Sequence, residues 1–306
     1  MKQKKPTITI GIPAFNEEAN IARLIRTVLR FKRTNFRLIE IIVACDGCTD
    51  KTVDILKKFH NTRIKIIHGK TRMGQQTRQN HIIKKFSGDI LVLIEADTLP
   101  ANPNGINEIV KIIQAKTDWN IGMAVGVVKG IRPTNKFQSI TNHGNTMMGR
   151  LFTSWRGGVN MYTIGGHAMR AIPRTVANRI RWPANVPEDA YLYLFLKKHN
   201  YGIYKAYKAL TLKRNVATLQ DRFKQSTKFV TGRNELNRYF DPEFVAAEYT
   251  IPKITLFRHL IVEFFHHPYP TVLYVIQTLV HRAYLLRIPR FSALYVPYNS
   301  TKVLYK

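Results

Sequence analysis

The chain has 306 residues, with 48 Lys and Arg against 19 Asp and Glu and a formal net charge of +29. Apolar residues at 45% and aromatic residues at 11% supply a sizeable buried core and exclude a disordered, collagen-like or low-complexity protein. Two cysteines are too few for a disulfide framework and fit a reducing compartment.

The basic N-terminal residues lead straight into an apolar run with no signal-peptide pattern, so the expected location is cytoplasmic. Thr7–Pro13 reads as a buried strand, followed by a helix from about Glu17 to Phe31 with Asn16 as its N-cap. Leu38–Ala44 is the next strand, and a helix opened by Thr49 or Asp50 runs through Phe59. A short strand over Arg63–His68, a helix over Gln75–Phe86 and a strand over Asp89–Ile94 continue the alternation. A helix near Gly105–Lys116 and a strand near Ile121–Val128 complete it. This β-α-β order predicts an α/β fold, a mostly parallel sheet with helices on both faces. Beyond Gly130 the pattern is less regular, with helices expected around Asn135–Phe152, Glu188–His199 and Leu219–Phe240. Two aromatic-rich helices, Ile254–Phe265 and Thr271–Leu286, follow. They predict a helical C-terminal extension over 241–306 attached to a domain over 1–240. Neither has the roughly 20 apolar residues of a membrane span; interfacial helices with basic flanks fit better, and two helices packed on the main domain or on a partner subunit fit equally.

In open parallel sheets, ligands bind beyond the carboxyl ends of the strands. Acidic residues follow three of the predicted strands here: Asn16-Glu17-Glu18, then Asp46, then Glu95 and Asp97. Glu95-Ala96-Asp97 has the hard oxygen donors for Mg2+ or Mn2+, which commonly bridges protein carboxylates to substrate phosphates. Glu188 and Asp189 open a helix at the end of a tract, residues 119–187, that contains no acid and nine Lys or Arg. A carboxylate so placed suits a general base. Cys45-Asp46-Gly47-Cys48 lacks the second pair of a four-cysteine zinc site, and both cysteines read as small residues beside Asp46. The positive charge predicts an anionic partner: a phosphorylated substrate or an anionic membrane surface. No nucleic-acid-binding motif accompanies it, so no nucleic acid is expected.

These stretches resemble the inverting family 2 glycosyltransferases of GT-A fold. Ile12-Pro13-Ala14-Phe15-Asn16-Glu17-Glu18 resembles the P-A-Y-N-E-E opening, and Val43-Ala44-Cys45-Asp46-Gly47-Cys48-Thr49-Asp50 the V-D-D-G-S-T-D stretch. Glu95-Ala96-Asp97 resembles D-x-D, Glu188-Asp189 the E-D motif, and Gln225-Ser226-Thr227-Lys228-Phe229 resembles Q-x-x-R-W. Cys45, Glu95 and Lys228-Phe229 depart from the family pattern. The resemblance implies a nucleotide-diphospho-sugar donor, a UDP-sugar above others, bound by Pro13, Ala14, Asn16, Glu17, Asp46, Gly47, Arg72, Glu95, Ala96 and Asp97. In that reading Asp46 accepts the uracil N–H, Asp97 with Glu95 holds Mg2+ or Mn2+, and Asp189, with Glu188 beside it, deprotonates the acceptor. Gly165, Gly166, Gln225, Lys228 and Phe229 would lie on the acceptor or diphosphate side. The expected acceptor is a lipid-linked or envelope glycan precursor, met at the inner face of the cell membrane. A sugar nucleotidyltransferase and a catalytically degenerate scaffold are the alternatives.

Overall fold

The computed structural model describes residues 4–115, 120–164, 169–285 and 299–304. Its first half alternates as the apolar runs dictate: β1 (Thr7–Ala14), α1 (Ile21–Leu29), β2 (Arg37–Asp46), α2 (Thr52–Lys57), β3 (Ile64–Gly69), α3 (Gln75–Lys85) and β4 (Ile90–Ile94). After these come β5 (Thr98–Pro100), α4 (Gly105–Ala115), β6 (Ile121–Gly130), α5 (Lys136–Ser154), α6 (Met161–Ile164), β7 (Met169–Pro173), α7 (Arg174–Ala177), α8 (Glu188–Lys198) and β8 (Gly202–Lys213). The helices α9 (Leu219–Leu236), α10 (Pro242–Tyr249), α11 (Lys253–His266) and α12 (Pro268–Leu285) follow, and a short 3-10 turn forms Asn299–Thr301.

The eight strands form one sheet in the order β3-β2-β1-β4-β7-β6-β8-β5. β1 pairs in parallel with β2 and β4, β2 with β3, and β6 with β8. β7 runs antiparallel to both β4 and β6, so β6 and β8 regain the direction of β1–β4. Six strands therefore end at one edge, and chain order reverses between β1 and β4. That is where a crevice opens in such sheets.

Strand side chains alternate between two cores. Ile8, Ile10 and Ile12 of β1, with Ile90, Val92 and Ile94 of β4, pack against Ile21, Leu24, Ile25 and Val28 of α1 and Ile106, Ile109 and Val110 of α4. On the opposite face, Ile42, Leu91 and Leu93 meet Ile82 of α3, Leu192, Leu194 and Leu196 of α8, and Val245 of α10. Each fully buried side chain contributes about 1.5–3 kcal/mol, which fixes the strand ends against both helical layers. α12 lies on α5, where Gly144 leaves room for the Tyr274 ring that a Cβ would meet at 1.9 Å. α11 is tied to α5 by the Arg150–Glu263 ion pair.

The first helix differs from expectation. It begins at Ile21, not Glu17, and Asn20 precedes it without a side-chain cap. Asn16 is no N-cap because its side chain is held by the next loop, as described below. The predicted pattern also lacked β5, β7, β8 and α10.

Candidate active site

At the β1 edge the chain turns through Phe15–Glu18. Asn16 takes φ 51°, a left-handed conformation that asparagine tolerates better than most residues. Its Oδ1 accepts the Thr49 N–H at 2.8 Å and its Nδ2 donates to Thr49 Oγ1 at 3.1 Å. The Glu17 N–H donates to Thr52 Oγ1 at 2.7 Å, and the Glu18 N–H to Asp50 Oδ2 at 3.0 Å. Glu18 Oε2 in turn accepts the Lys51 N–H at 2.9 Å. The two signature stretches thus brace one another across the ends of β1 and β2. Cys48 joins them, accepting the Asn16 N–H at 3.4 Å and donating to the Ala14 carbonyl at 3.5 Å. A hydrogen bond between the thiols pulls Cys48 down to about 7 and pushes Cys45 up.

Asp46 ends β2 and is buried. Its Oδ1 accepts the Met73 N–H and Arg78 Nε, both at 2.8 Å, and its Oδ2 accepts the Gly74 N–H at 2.9 Å. Arg78 Nη2 also donates to the Thr71 carbonyl at 2.6 Å. Glycine is needed at two neighbouring positions. Gly47 has φ 66°, and a Cβ there would lie 2.7 Å from the Arg72 nitrogen; one on Gly69 would lie 2.1 Å from Arg78 Nη2. The loop so held carries Arg72, whose guanidinium carbon sits 4.0 Å from the Phe15 ring centroid, a cation–π distance.

The second half of the crevice is made by β4, β7, β8 and α8. Glu95 follows β4, while Glu188 and Asp189 occupy the first turn of α8, where the helix dipole favours negative charge. Each of the three brings a carboxylate oxygen within 4.8 Å of the others. Lys213, the last residue of β8, lies with Nζ 2.6 Å from Glu95 Oε2 and 3.8 Å from Asp97 Oδ2. Arg170, buried on β7 opposite Leu93, donates from Nη1 to Asp189 Oδ1. Burial raises the Glu95 carboxyl above its ordinary range, against the pull of Lys213 and with help from Asp97 and Asp189. Burial works against the Arg170 charge, but Asp189 together with Glu95 and Glu188 outweighs it, so the guanidinium is held above its usual value. Trp182 Nε1 donates to the Glu188 carbonyl at 2.9 Å and anchors the start of α8.

Glu17 connects the two halves. It is buried, and desolvation raises its carboxyl to about 7; Lys302 opposes that shift and Asp97 adds to it. Of the predicted residues, Asn16, Glu17, Asp46, Gly47 and Arg72 surround the β1–β2 edge, and Glu95, Asp97, Glu188 and Asp189 the β4–α8 edge. Pro13 is half-buried, and Ala14 and Ala96 belong to the core. Gln225 lies on α9, accepting from Arg222 Nη1 at 3.3 Å. Gly165 and Gly166, with the side chains of Lys228 and Phe229, lie outside the described residues.

Sequence reasoning missed the basic partners Arg78, Arg170, Lys213 and Lys302. Among 48 Lys and Arg, a charge on its own is no signal. Arg170 alone carried one: an arginine between Met169 and Ala171 in a short apolar run.

Three carboxylates with no histidine or cysteine among them are hard oxygen donors of the kind Mg2+ and Mn2+ prefer. Their crowding is itself relieved by a cation. The residues present therefore fit such an ion, with Glu188 and Asp189 beside Glu95 where Asp97 was the expected partner.

Residues 9–173 match the family described as glycosyl transferase family 2, more than half of the chain. The chain belongs to that family. An uncharacterized glycosyltransferase of Haemophilus influenzae is 28% identical over 99 residues, 32% of this chain and 38% of the relative, so the chain spans well under half the length of that relative. The Escherichia coli UDP-Glc:alpha-D-GlcNAc-diphosphoundecaprenol beta-1,3-glucosyltransferase WfgD is 24% identical over 196 residues, 63% of this chain and 70% of the relative. Among solved structures, the mannosyltransferase PcManGT of Pyrobaculum calidifontis, in complex with GDP-Man and Mn2+, superimposes with a TM-score of 0.64 at 16% identity. That likeness covers 92% of this chain and 88% of the other. The fold is GT-A, as the motifs led one to expect.

Proposed function

We propose that the chain is an inverting, metal-dependent glycosyltransferase that moves a sugar from a nucleotide-diphospho-sugar, a UDP-sugar above others, to a lipid-linked or envelope glycan precursor. The observation that carries this reading is the meeting of Glu95, Glu188 and Asp189 at the sheet edge beside the braced Phe15–Glu18 loop.

In this scheme the Phe15–Glu18 loop, Gly47 and the Arg72 loop receive the nucleoside diphosphate. Asp46, whose oxygens already hold Met73, Gly74 and Arg78, fixes the wall on which the base rests. Asp189 removes the proton from the acceptor hydroxyl, and Arg170 holds its Oδ1 so that the carboxylate keeps one orientation. Backside attack at the anomeric carbon then inverts its configuration as the diphosphate leaves. Lys213 and Arg72 add positive charge where the leaving group becomes more negative. Mg2+ or Mn2+, held by Glu95 with Glu188 and with Asp97 nearby, would supply further charge neutralisation to the diphosphate.

The acceptor reading is supported by WfgD, whose named acceptor is a diphosphoundecaprenol, and by α11 and α12. Eleven of the seventeen large apolar side chains exposed among the described residues lie on these two helices, Phe257, Phe265, Tyr269 and Leu279 the most open of them. No helix among the described residues is long and apolar enough to cross a membrane. An apolar face flanked by Lys253, Arg258 and Arg282 suits the anionic inner face of the cell membrane.

The test is a panel of UDP-, GDP- and dTDP-sugars with Mg2+ or Mn2+ and an extracted lipid-diphosphate acceptor. Release of nucleoside diphosphate from one donor, lost in Glu95→Gln, is the expected result. Absence of both turnover and donor binding would defeat the proposal. Flotation with anionic vesicles, weakened by Phe265→Ser, tests the membrane surface separately.

A further inference from the structure

The segment Asn299–Leu304 returns from far along the chain to the mouth of the nucleotide side. It is stitched down by buried polar groups from three places. Asp221 Oδ2 accepts the Ser300 N–H at 3.0 Å and the Ser300 hydroxyl at 2.5 Å, and Ser300 Oγ accepts the Ala217 N–H at 3.1 Å. Arg214 donates from Nε to the Val303 carbonyl at 2.7 Å and from Nη2 to the Leu304 carbonyl at 2.6 Å. Asn20 Nδ2 donates to the Lys302 carbonyl at 2.6 Å, and Asn20 Oδ1 accepts the Leu304 N–H at 3.4 Å. Asn20, Asp221, Arg214 and the Leu304 side chain are all buried. Buried polar groups need partners, so the segment has a defined seat.

That seat delivers one charge. Lys302 Nζ donates to the Phe15 carbonyl at 2.7 Å and to Glu17 Oε1, the buried carboxylate of the signature loop. Its ammonium lies 5.9 Å from the Phe15 ring centroid, the same ring that Arg72 covers. Without it, the Phe15 carbonyl and the Glu17 carboxyl lose their shared donor, and the ionised fraction of Glu17 adds unscreened negative charge to that of Asp97, at the place a diphosphate must approach. Like charge so arranged opposes anion binding.

We propose that Lys302 is a donor-positioning residue: it neutralises Glu17 and holds the Phe15–Glu17 backbone in the shape that accepts a nucleoside diphosphate. This rests on the nucleotide-sugar reading above. Glycosyl transfer itself is left to the β4–α8 residues, so Lys302 acts on donor affinity more than on the rate of the chemical step.

The full chain is titrated calorimetrically with UDP, GDP and dTDP in the presence of Mn2+ at low salt. For the nucleotide that the wild type binds, Lys302→Ala is expected to weaken binding about tenfold, the scale of one charge-assisted contact. Lys302→Arg should keep affinity within about threefold of wild type, since the charge is retained. Adding Glu17→Gln to Lys302→Ala should recover most of the loss, because it removes the carboxylate that Lys302 offsets. A merely structural role for the segment predicts the opposite: a second buried change that compounds the first. Unchanged nucleotide affinity in Lys302→Ala, or no recovery in the double variant, overturns the inference while leaving the nucleotide-sugar reading intact. A wild-type chain that binds none of the three nucleotides overturns both.

Discussion

The two sides of the crevice hold their carboxylates in different ways. On the β1–β2 side, Asp46 accepts two loop N–H groups and a buried arginine, while Asn16, Glu18 and Asp50 bond to backbone across the two loops. On the β4–α8 side, Glu95 and Asp189 face Lys213 and the buried Arg170, and three carboxylates crowd together. The first arrangement shapes a mould from the backbone. The second stores negative charge that a cation or a reacting proton can rebalance. Variants on the two sides should therefore fail differently: loss of shape and stability on one, loss of rate and charge balance on the other.

The largest effect is expected at Asp189. Asp189→Asn keeps an oxygen for Arg170 but removes the proposed base, and sugar transfer should fall about 10²–10⁴-fold, the usual worth of a positioned general base. Nucleotide affinity, measured by calorimetry, should move far less. Equal losses in rate and donor binding would place Asp189 with the mould and erase the contrast.

Arg170→Met sharpens the charge side. Removing one partner of a buried ion pair typically costs about 3–5 kcal/mol, here with Glu95, Glu188 and Asp189 left without the Arg170 charge among them. Mn2+ should restore part of that stability and raise the melting temperature of the variant by more than it raises the wild type. Identical metal increments in both proteins would mean that the carboxylate cluster takes no cation.

The contrast also explains how far the sequence could be read. The mould side is encoded locally: apolar strands, a Gly that only φ 66° explains, and N-E-E and T-D stretches whose side chains bond to nearby backbone. Glu95, Glu188 and Asp189 stood out because acids are scarce in this chain. Their partners did not, since pairing Arg170 with Asp189 or Lys213 with Glu95 is decided by strand order and register. β7 and β8 hid for the same reason. β7 is five residues with an arginine inside, and β8 carries Lys205 and Lys208 among its tyrosines, so neither shows a clean period of two.

Gly47→Ala should have a smaller, purely steric effect. A Cβ in a left-handed conformation, 2.7 Å from the Arg72 nitrogen, must push the loop over Asp46 outward, at a cost of about 1–3 kcal/mol. Thermal melts should record that loss together with weaker nucleotide binding. If stability falls and affinity does not, the Arg72 loop is no part of the donor surface.

The smallest effect is a slope against pH, and it belongs to the residue that joins the two sides. Glu17 titrates near 7 in the folded chain against an ordinary 4.5, with desolvation dominant and Lys302, Asp97 and Asn20 as its neighbours. Between those values the native state holds a proton that the unfolded chain has released. Folding stability must then decline as pH rises from 4.5 to 7, because stability falls with pH wherever the native state binds more protons. Glu17→Gln removes that term and should flatten the decline, read as denaturant midpoints at about pH 5 and about pH 7.5. Equal slopes in wild type and variant would mean that Lys302 already keeps Glu17 ionised across this range. The burial of the carboxylate would then be fully offset by its partner, and the charge on the mould side would be as fixed as its backbone.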